Sequence, residues 1–264
     1  MFYVDTHCHL NIEVFNQDID DVIKRAIDVG VIDFVIPGFD VNSCISALEI
    51  SSRFNNVFVA IGIHPNHVSD FEINQISRLE DLMSSSKVVA IGEIGLDYYR
   101  HPETKNQQID LLHIMLDFAA HHNKPLILHC RESLEDLLAI IQHWISQDLH
   151  PRELVGVFHA FEGTIEQAMI IQKMGFFIGV GGAISYPNRL SKQSIIKSVG
   201  LDRVVLETDS PYLSPHPFRG IRNEPSRIPL IAEKIAGLID ESLEFVSKKT
   251  SLNAKLLFQL EPIN

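Results

Sequence analysis

Metal-binding and proton-transferring side chains recur along this chain at the carboxyl ends of short apolar runs. His7 and His9 follow FYVD, His64 follows VFVAIGI, Glu93 lies in VVAIGEIG, His129 closes PLILH, His159 follows VGVF and Asp209 ends RVVLETD. One histidine in such a place is ordinarily a hydrogen-bonded structural residue. His7, His9, His129 and His159 together with Glu93 and Asp209 are harder to explain that way, because burying unpaired carboxylates is costly unless a cation or a proton compensates. Imidazole and carboxylate without thiolate suit zinc, manganese, nickel or iron better than calcium. Six donors exceed the ligand set of one catalytic zinc. Two ions about 3.5–4 Å apart, sharing a bridging carboxylate, would use all six and leave room for a water. Glu93 is the expected bridge. Asp209 is expected to hold one ion and to accept a proton from the attacking water. Cys8 sits between His7 and His9, and Cys130 follows His129. Alternation along a strand turns both cysteines away from their histidine neighbours, so they read as small buried hydrophobes.

Positioning these groups takes eight strands. The candidates are residues 2–7, 32–38, 57–64, 88–95, 125–130, 154–161, 176–182 and 203–209, each rich in Val, Ile, Leu or Phe. Amphipathic stretches such as DIDDVIKRAIDVG and NQQIDLLHIMLDFAAHHNK separate them, and EPSRIPLIAEKIAGL and SLEFVSKKTSLNAKLLF supply the final helices. Near-continuous apolar strands alternating with helices predict an α/β fold with a closed parallel sheet, a (β/α)8 TIM-type barrel, covering residues 1–264 as one domain. The length of 264 residues suits that fold, for which about 250 is typical. In such barrels the active site lies at the carboxyl face, so six different strands would deliver the polar residues to one bowl.

Composition narrows the partners. The formal net charge of −12 argues against a protein that grips long duplex DNA by a basic surface, so any role on nucleic acid must rest on bound cations and a few local Lys or Arg. Three cysteines without a CxxC pair disfavour a disulfide framework or a cysteine zinc finger. No run approaches the roughly 18 apolar residues of a membrane span, and MFYVDTH lacks the plan of a signal peptide, so no membrane partner and a cytosolic location are expected. Arg131, Arg219 and Arg222, with His64, are candidates to contact phosphate oxygens, and Tyr98, Tyr99 or Phe161 to stack on a base. In the RNEP stretch, Asn223 is a candidate loop cap or substrate contact and Glu224 a group that orients a ligand. GVGGAIS reads as a tight turn.

The motifs DTHCHL (5–10), GIHP (62–65), GEIGLDYY (92–99), PLILHCRE (125–132), FHAFEG (158–163), GVGGAIS (179–185), ETDSPYL (207–213) and RNEP (222–225) follow one another in this order. The chain resembles, nearly end to end, the TatD family of metal-dependent deoxyribonucleases within the amidohydrolase-like barrels. The resemblance implies that His7, His9, Glu93 and Asp209 hold one ion, that Glu93, His129 and His159 hold the other, and that His64 sits near the substrate phosphate. It further implies hydrolysis of DNA phosphodiesters, generally from the 3′ end of single-stranded or frayed substrate, with two divalent ions: zinc or manganese by ligand type, and magnesium also able to support activity. One departure stands out. The sixth motif usually resembles HCFSG, whereas Ala160 and Glu162 replace its cysteine and serine, and Glu162 adds negative charge near the expected phosphate position. That keeps open a rival hydrolase or deaminase of a small amide, lactone or nucleobase on the same barrel. A non-catalytic metal-binding barrel is the remaining alternative.

Overall fold

Apolar runs flanked by helices pair edge to edge in chain order: β1 (Tyr3–Asp5), β2 (Val31–Pro37), β3 (Val57–Ile61), β4 (Val88–Asp97), β5 (Leu126–Arg131), β6 (Gly156–Phe158), β7 (Phe176–Val180) and β8 (Val204–Leu206). All neighbours are parallel. The structure is a computed structural model and describes residues 1–147 and 155–261. Its barrel closes between the first and last strands, where the Thr6 N–H donates to the Leu206 carbonyl at 3.0 Å, the Asp209 N–H to His7 at 2.8 Å and the His9 N–H to Ser210 at 2.8 Å. The closing seam therefore runs through three of the expected metal ligands.

Nine helices are present among the described residues: α1 (Ile19–Asp28), α2 (Val41–Arg53), α3 (Asn74–Leu82), α4 (Lys105–His122), α5 (Leu134–Ser146), α6 (Ile165–Lys173), α7 (Leu190–Val199), α8 (Ile228–Ile239) and α9 (Leu243–Phe258). Local chemistry sets several boundaries. Capping boxes start α2 at Asp40 with Ser43 and α6 at Thr164 with Gln167, while α4 stops at Asn123 in the left-handed conformation, with His121 and His122 in its last turn.

Two apolar layers hold these parts together. Inside the barrel, Val4, Val35, Ala60, Ile127, Val157, Phe177 and Val205 pack with Ala254, Leu257, Phe258 and Leu260. Asn253 donates to the carbonyls of Leu201 and Val204, at the start of β8, so the end of α9 covers the amino-terminal mouth. The carboxyl mouth is left for chemistry. Outside, strand residues such as Phe34, Ile36 and Ile61 meet Val22, Ala47 and Leu111 of the helices. Each such Phe, Ile, Val or Leu side chain, fully buried, contributes about 1.5–3 kcal/mol. Cys8 and Cys44 belong to this outer layer, and all three cysteines are free.

Five strands, β1, β3, β6, β7 and β8, are shorter than their apolar runs suggested, while β4 runs on to Asp97. β1, β3, β6 and β8 end before His7, His64, His159 and Asp209, which leave the ladder to enter the mouth. Ala160 at φ 45° and Asp209 at φ 55° mark that departure. The expected sixth strand began at Leu154, which lies outside the described residues. GVGGAIS closes in a 3-10 turn at Gly182–Ser185.

Candidate metal centre

At the carboxyl mouth the Glu93 carboxylate, 3% exposed, divides a ring of imidazoles into two sets. Its Oε2 lies 3.4 Å from His7 Nε2 and 3.6 Å from His9 Nε2. Its Oε1 lies 2.9 Å from His129 Nδ1, 3.6 Å from His64 Nε2 and 3.8 Å from His159 Nε2. Asp209 Oδ1 completes the first set at 3.8 Å from His7 Nε2 and 3.5 Å from His9 Nε2, and those two nitrogens are 3.1 Å apart. Two donors on one ion, with bonds of about 2.0–2.1 Å at tetrahedral angles, stand about 3.4 Å apart. The spacings in the first set, 3.1–3.8 Å, fit that shell. Two further groups of closely spaced donors overlap it: His7, His159 and Asp209, with His159 Nε2 3.9 Å from Asp209 Oδ1, and His64, Glu93 and His129. The donor set, imidazole and carboxylate without thiolate, suits divalent cations.

Without cations, protons and mutual pairing must balance these buried charges. Burial works against ionised Glu93, but the surrounding His7, His64 and His129 hold it well below the usual carboxylate range. Burial likewise opposes ionised Asp209, and His159 brings it down. His159 itself is depressed by burial, yet Glu207 and Asp209 outweigh that and push it up to about 10. His7 stacks on His159 with ring centroids 3.6 Å apart, and burial together with that neighbour lowers it.

His64 is set apart by its proton. Its Nδ1 accepts the backbone N–H of Asn66 at 3.0 Å, so in the neutral ring Nε2 carries the hydrogen. Burial and then His129 drive its pKa well below the ordinary value, which keeps the ring neutral. Nε2–H then points into the bowl as a donor suited to a phosphate oxygen, in a ring that also lies in a close donor group with Glu93 and His129.

Two carboxylates that the sequence reading passed over support the imidazoles from behind. Asp97 Oδ2 lies 3.1 Å from His129 Nε2, leaving Nδ1 toward Glu93. Burial alone would raise Asp97, but His129 and the Arg100 N–H bring it down to about 2. Glu207 Oε1 stands 3.2 Å from His159 Nδ1 and accepts the Ala160 N–H at 2.6 Å, leaving Nε2 toward the centre. The Asp97 hydrogen bond sets the tautomer and ring direction of His129, whereas Glu207 acts on His159 as a charge beside Nδ1. A signal existed for both: Glu207 shares the strand parity of Val205 and Asp209, and Asp97 that of Glu93. Glycines make the room. A Cβ at Gly95, where φ is 142°, would fall 2.0 Å from the His129 carbonyl, and one at Gly179 would fall 2.3 Å from Glu207 Oε2.

The remaining expectations divide. Arg131 lies at the mouth with its guanidinium 3.8 Å over the Tyr99 ring, and Arg219 lies 4.7 Å over Tyr186. Arg222 and Asn223 both have partners within the chain. Arg222 is spent on Asp18, at 2.6 and 2.9 Å, and on the Val14 carbonyl. Asn223, fully buried, donates to the carbonyls of Thr208 and Tyr212 and accepts from the Glu224 N–H, so it acts as the loop cap. Glu224 pairs with Arg25 at 2.7 Å. Phe161 is core. Glu162 does not charge the bowl: it is 56% exposed and pairs with Lys192 at 3.1 Å and Arg189 at 3.4 Å. No helix among the described residues is long and apolar enough to cross a membrane.

Comparison with known proteins agrees with this architecture. The model of the family described as TatD related DNase matches residues 4–259. YabD of Bacillus subtilis, described as an uncharacterized metal-dependent hydrolase, is 36% identical over 256 residues, spanning 97% of this chain and 98% of its own. The 3′-5′ ssDNA/RNA exonuclease TatD of Erwinia billingiae is 32% identical over 262 residues, 97% of this chain and 98% of its own. Among solved structures, the TatD homologue YjjV of Escherichia coli superimposes with a TM-score of 0.91 at 29% identity, covering 98% of both chains.

Proposed function

This chain belongs to the TatD related DNase family and is a metal-dependent hydrolase, and from that premise we propose that it hydrolyses phosphodiester bonds of single-stranded nucleic acid, DNA foremost, from the 3′ end. The observation that carries the reading is the split of Glu93, one oxygen facing His7 and His9 and the other facing His129 and His159. We assign His7, His9, Glu93 and Asp209 to one divalent ion and Glu93, His129 and His159 to another, with zinc or manganese favoured by the donors. Such ions, when bound, supply positive charge to the scissile phosphate and lower the pKa of water toward neutrality. The protein does the rest. Asp209, held ionised, presents a carboxylate to take the proton of the attacking water. His64 donates Nε2–H to a non-bridging phosphate oxygen, where negative charge grows. Asp97 and Glu207 hold the two rings in place. A bowl ringed by loops admits a chain end, and local cations replace the basic surface that a net charge of −12 denies. The pairing of Glu162 with Lys192 and Arg189 removes the main feature that favoured a small-molecule substrate. Three free cysteines suit the cytosol.

End-labelled oligonucleotides test this reading. Protein supplied with magnesium, manganese or zinc is expected to shorten a 5′-labelled single strand from its 3′ end and to stop when a chelator is added. Intact oligonucleotide under every metal, with turnover of a lactone or amide, would refute it.

A further inference from the structure

Two clefts open beside the bowl, and their charges differ. One, of about 650 Å³, lies between the loops after β4, β5 and β6. Its lining holds Lys105 and Arg131 against Glu132, Glu135, Asp136 and Glu162, and Lys105 is already paired with Asp136 at 2.7 Å. The other, of about 520 Å³, lies between the loops after β7 and β8. Its lining holds Arg189, Arg219 and Arg222 and no carboxylate. Asp18 and Glu162 pair with Arg222 and Arg189 from outside that lining, which leaves Arg219 without a carboxylate partner among the described residues. Tyr186 underlies its guanidinium at 4.7 Å and is itself fixed by a 2.9 Å hydrogen bond to the Ser214 carbonyl.

The aromatic surfaces differ in the same sense. Tyr99 in the first cleft carries Arg131 on its face, and the Tyr98 ring carries Lys105 at 4.8 Å while its hydroxyl donates to Asp136. Tyr212, 56% exposed, lies at the edge of the second cleft, outside its lining but next in the chain to Pro211 and Leu213 that line it, and its ring centroid lies 6.2 Å from that of His9. No cation covers Tyr212 among the described residues. It therefore joins the bowl to the cationic cleft with an open stacking face.

Resting on the nuclease reading above, we infer that the single strand leaves the bowl over Tyr212 and lies in the cleft between the β7 and β8 loops, with a base on Tyr212 and a backbone phosphate on Arg219. A polyanion is attracted to the cleft with excess positive charge and repelled from the one with excess carboxylate. The acidic cleft stays clear of the strand.

The test is KM measured on metal-loaded enzyme with single strands from a dinucleotide to an octamer. Arg219→Ala is expected to raise KM for the octamer about five-fold or more and for the dinucleotide far less, since only the longer strand reaches the cleft. The salt dependence of octamer binding should lose a slope of about 0.7, one phosphate contact. Tyr212→Ala should behave similarly, with Tyr212→Phe restoring the parent value. Lys105→Ala, on the acidic cleft, should leave octamer KM within about two-fold, below the discrimination of one stacked base. A larger loss in Lys105→Ala than in Arg219→Ala, or an Arg219→Ala loss equal at every length, would overturn the path alone. A parent enzyme that cuts no oligonucleotide would instead remove the nuclease reading, and the path with it.

Discussion

Replacing Glu207 by Gln isolates the support of one imidazole from the rest of the centre. The side chain keeps its size, so the space left by Gly179 stays filled and an amide oxygen can still accept the Ala160 N–H. What changes is the charge 3.2 Å from His159 Nδ1. Loss of a carboxylate behind a metal-binding histidine commonly lowers metal affinity or activity about 10–100-fold, or about 1.4–2.7 kcal/mol. The metal-free protein should weaken as well. Glu207 is 1% exposed and pairs with a His159 that it holds protonated, and removing one partner of a buried pair costs about 3–5 kcal/mol. Glu207→Gln should therefore lower the metal-free Tm and also surrender one ion to a chelator at about 10-fold lower chelator concentration. Metal content per chain, read along a chelator titration, measures the second effect and calorimetry the first. A variant that retains both ions as tightly as the parent would refute the role of Glu207. So would an equal fall in metal-free and loaded Tm, since that is the mark of a merely structural residue.

Other perturbations follow from the same geometry. His64→Gln should lower kcat by about 10²-fold while the bound metal stays at the parent level, because the lost Nε2–H is a donor and no ligand; loss of an ion would show that His64 binds one. In the metal-free protein His159 is raised to about 10 from an unfolded value near 6.5, so its stabilisation is complete below about pH 6.5 and is lost as pH rises toward 10. Binding an ion needs the deprotonated ring, so the gap between loaded and metal-free Tm should widen over that window; a gap that narrows would contradict the assignment. Asn223→Ala removes a fully buried amide that ties Thr208 and Tyr212 together, and should cost about 2–3 kcal/mol in denaturant unfolding. A cost near zero would show that the loop holds Asp209 by other means.

Much of this protein is written in local patterns. Apolar runs of strand length separated by amphipathic helices specify a parallel barrel, because strands covered on both faces must be apolar and each must return through a helix. Period-two alternation carries farther still: Ile127 with His129 and Val157 with His159 share a side, so the residues that fill the barrel point the way to those that line its mouth. Pairings between distant segments were decided only in three dimensions. Arg222 meets Asp18 across 204 positions, and Asn223 is consumed by carbonyls of a loop that no local pattern brings to it. Glu162 looked like a charge in the bowl until Lys192 and Arg189 of the next loop and helix drew it aside. The proton of His64 was fixed by a backbone N–H two residues away, through a turn that forms only after β3 ends. Side-chain direction along a strand follows from backbone geometry and is legible in one dimension; the partner of a charge depends on which loops converge at the barrel mouth, and that is settled by closure of the whole sheet.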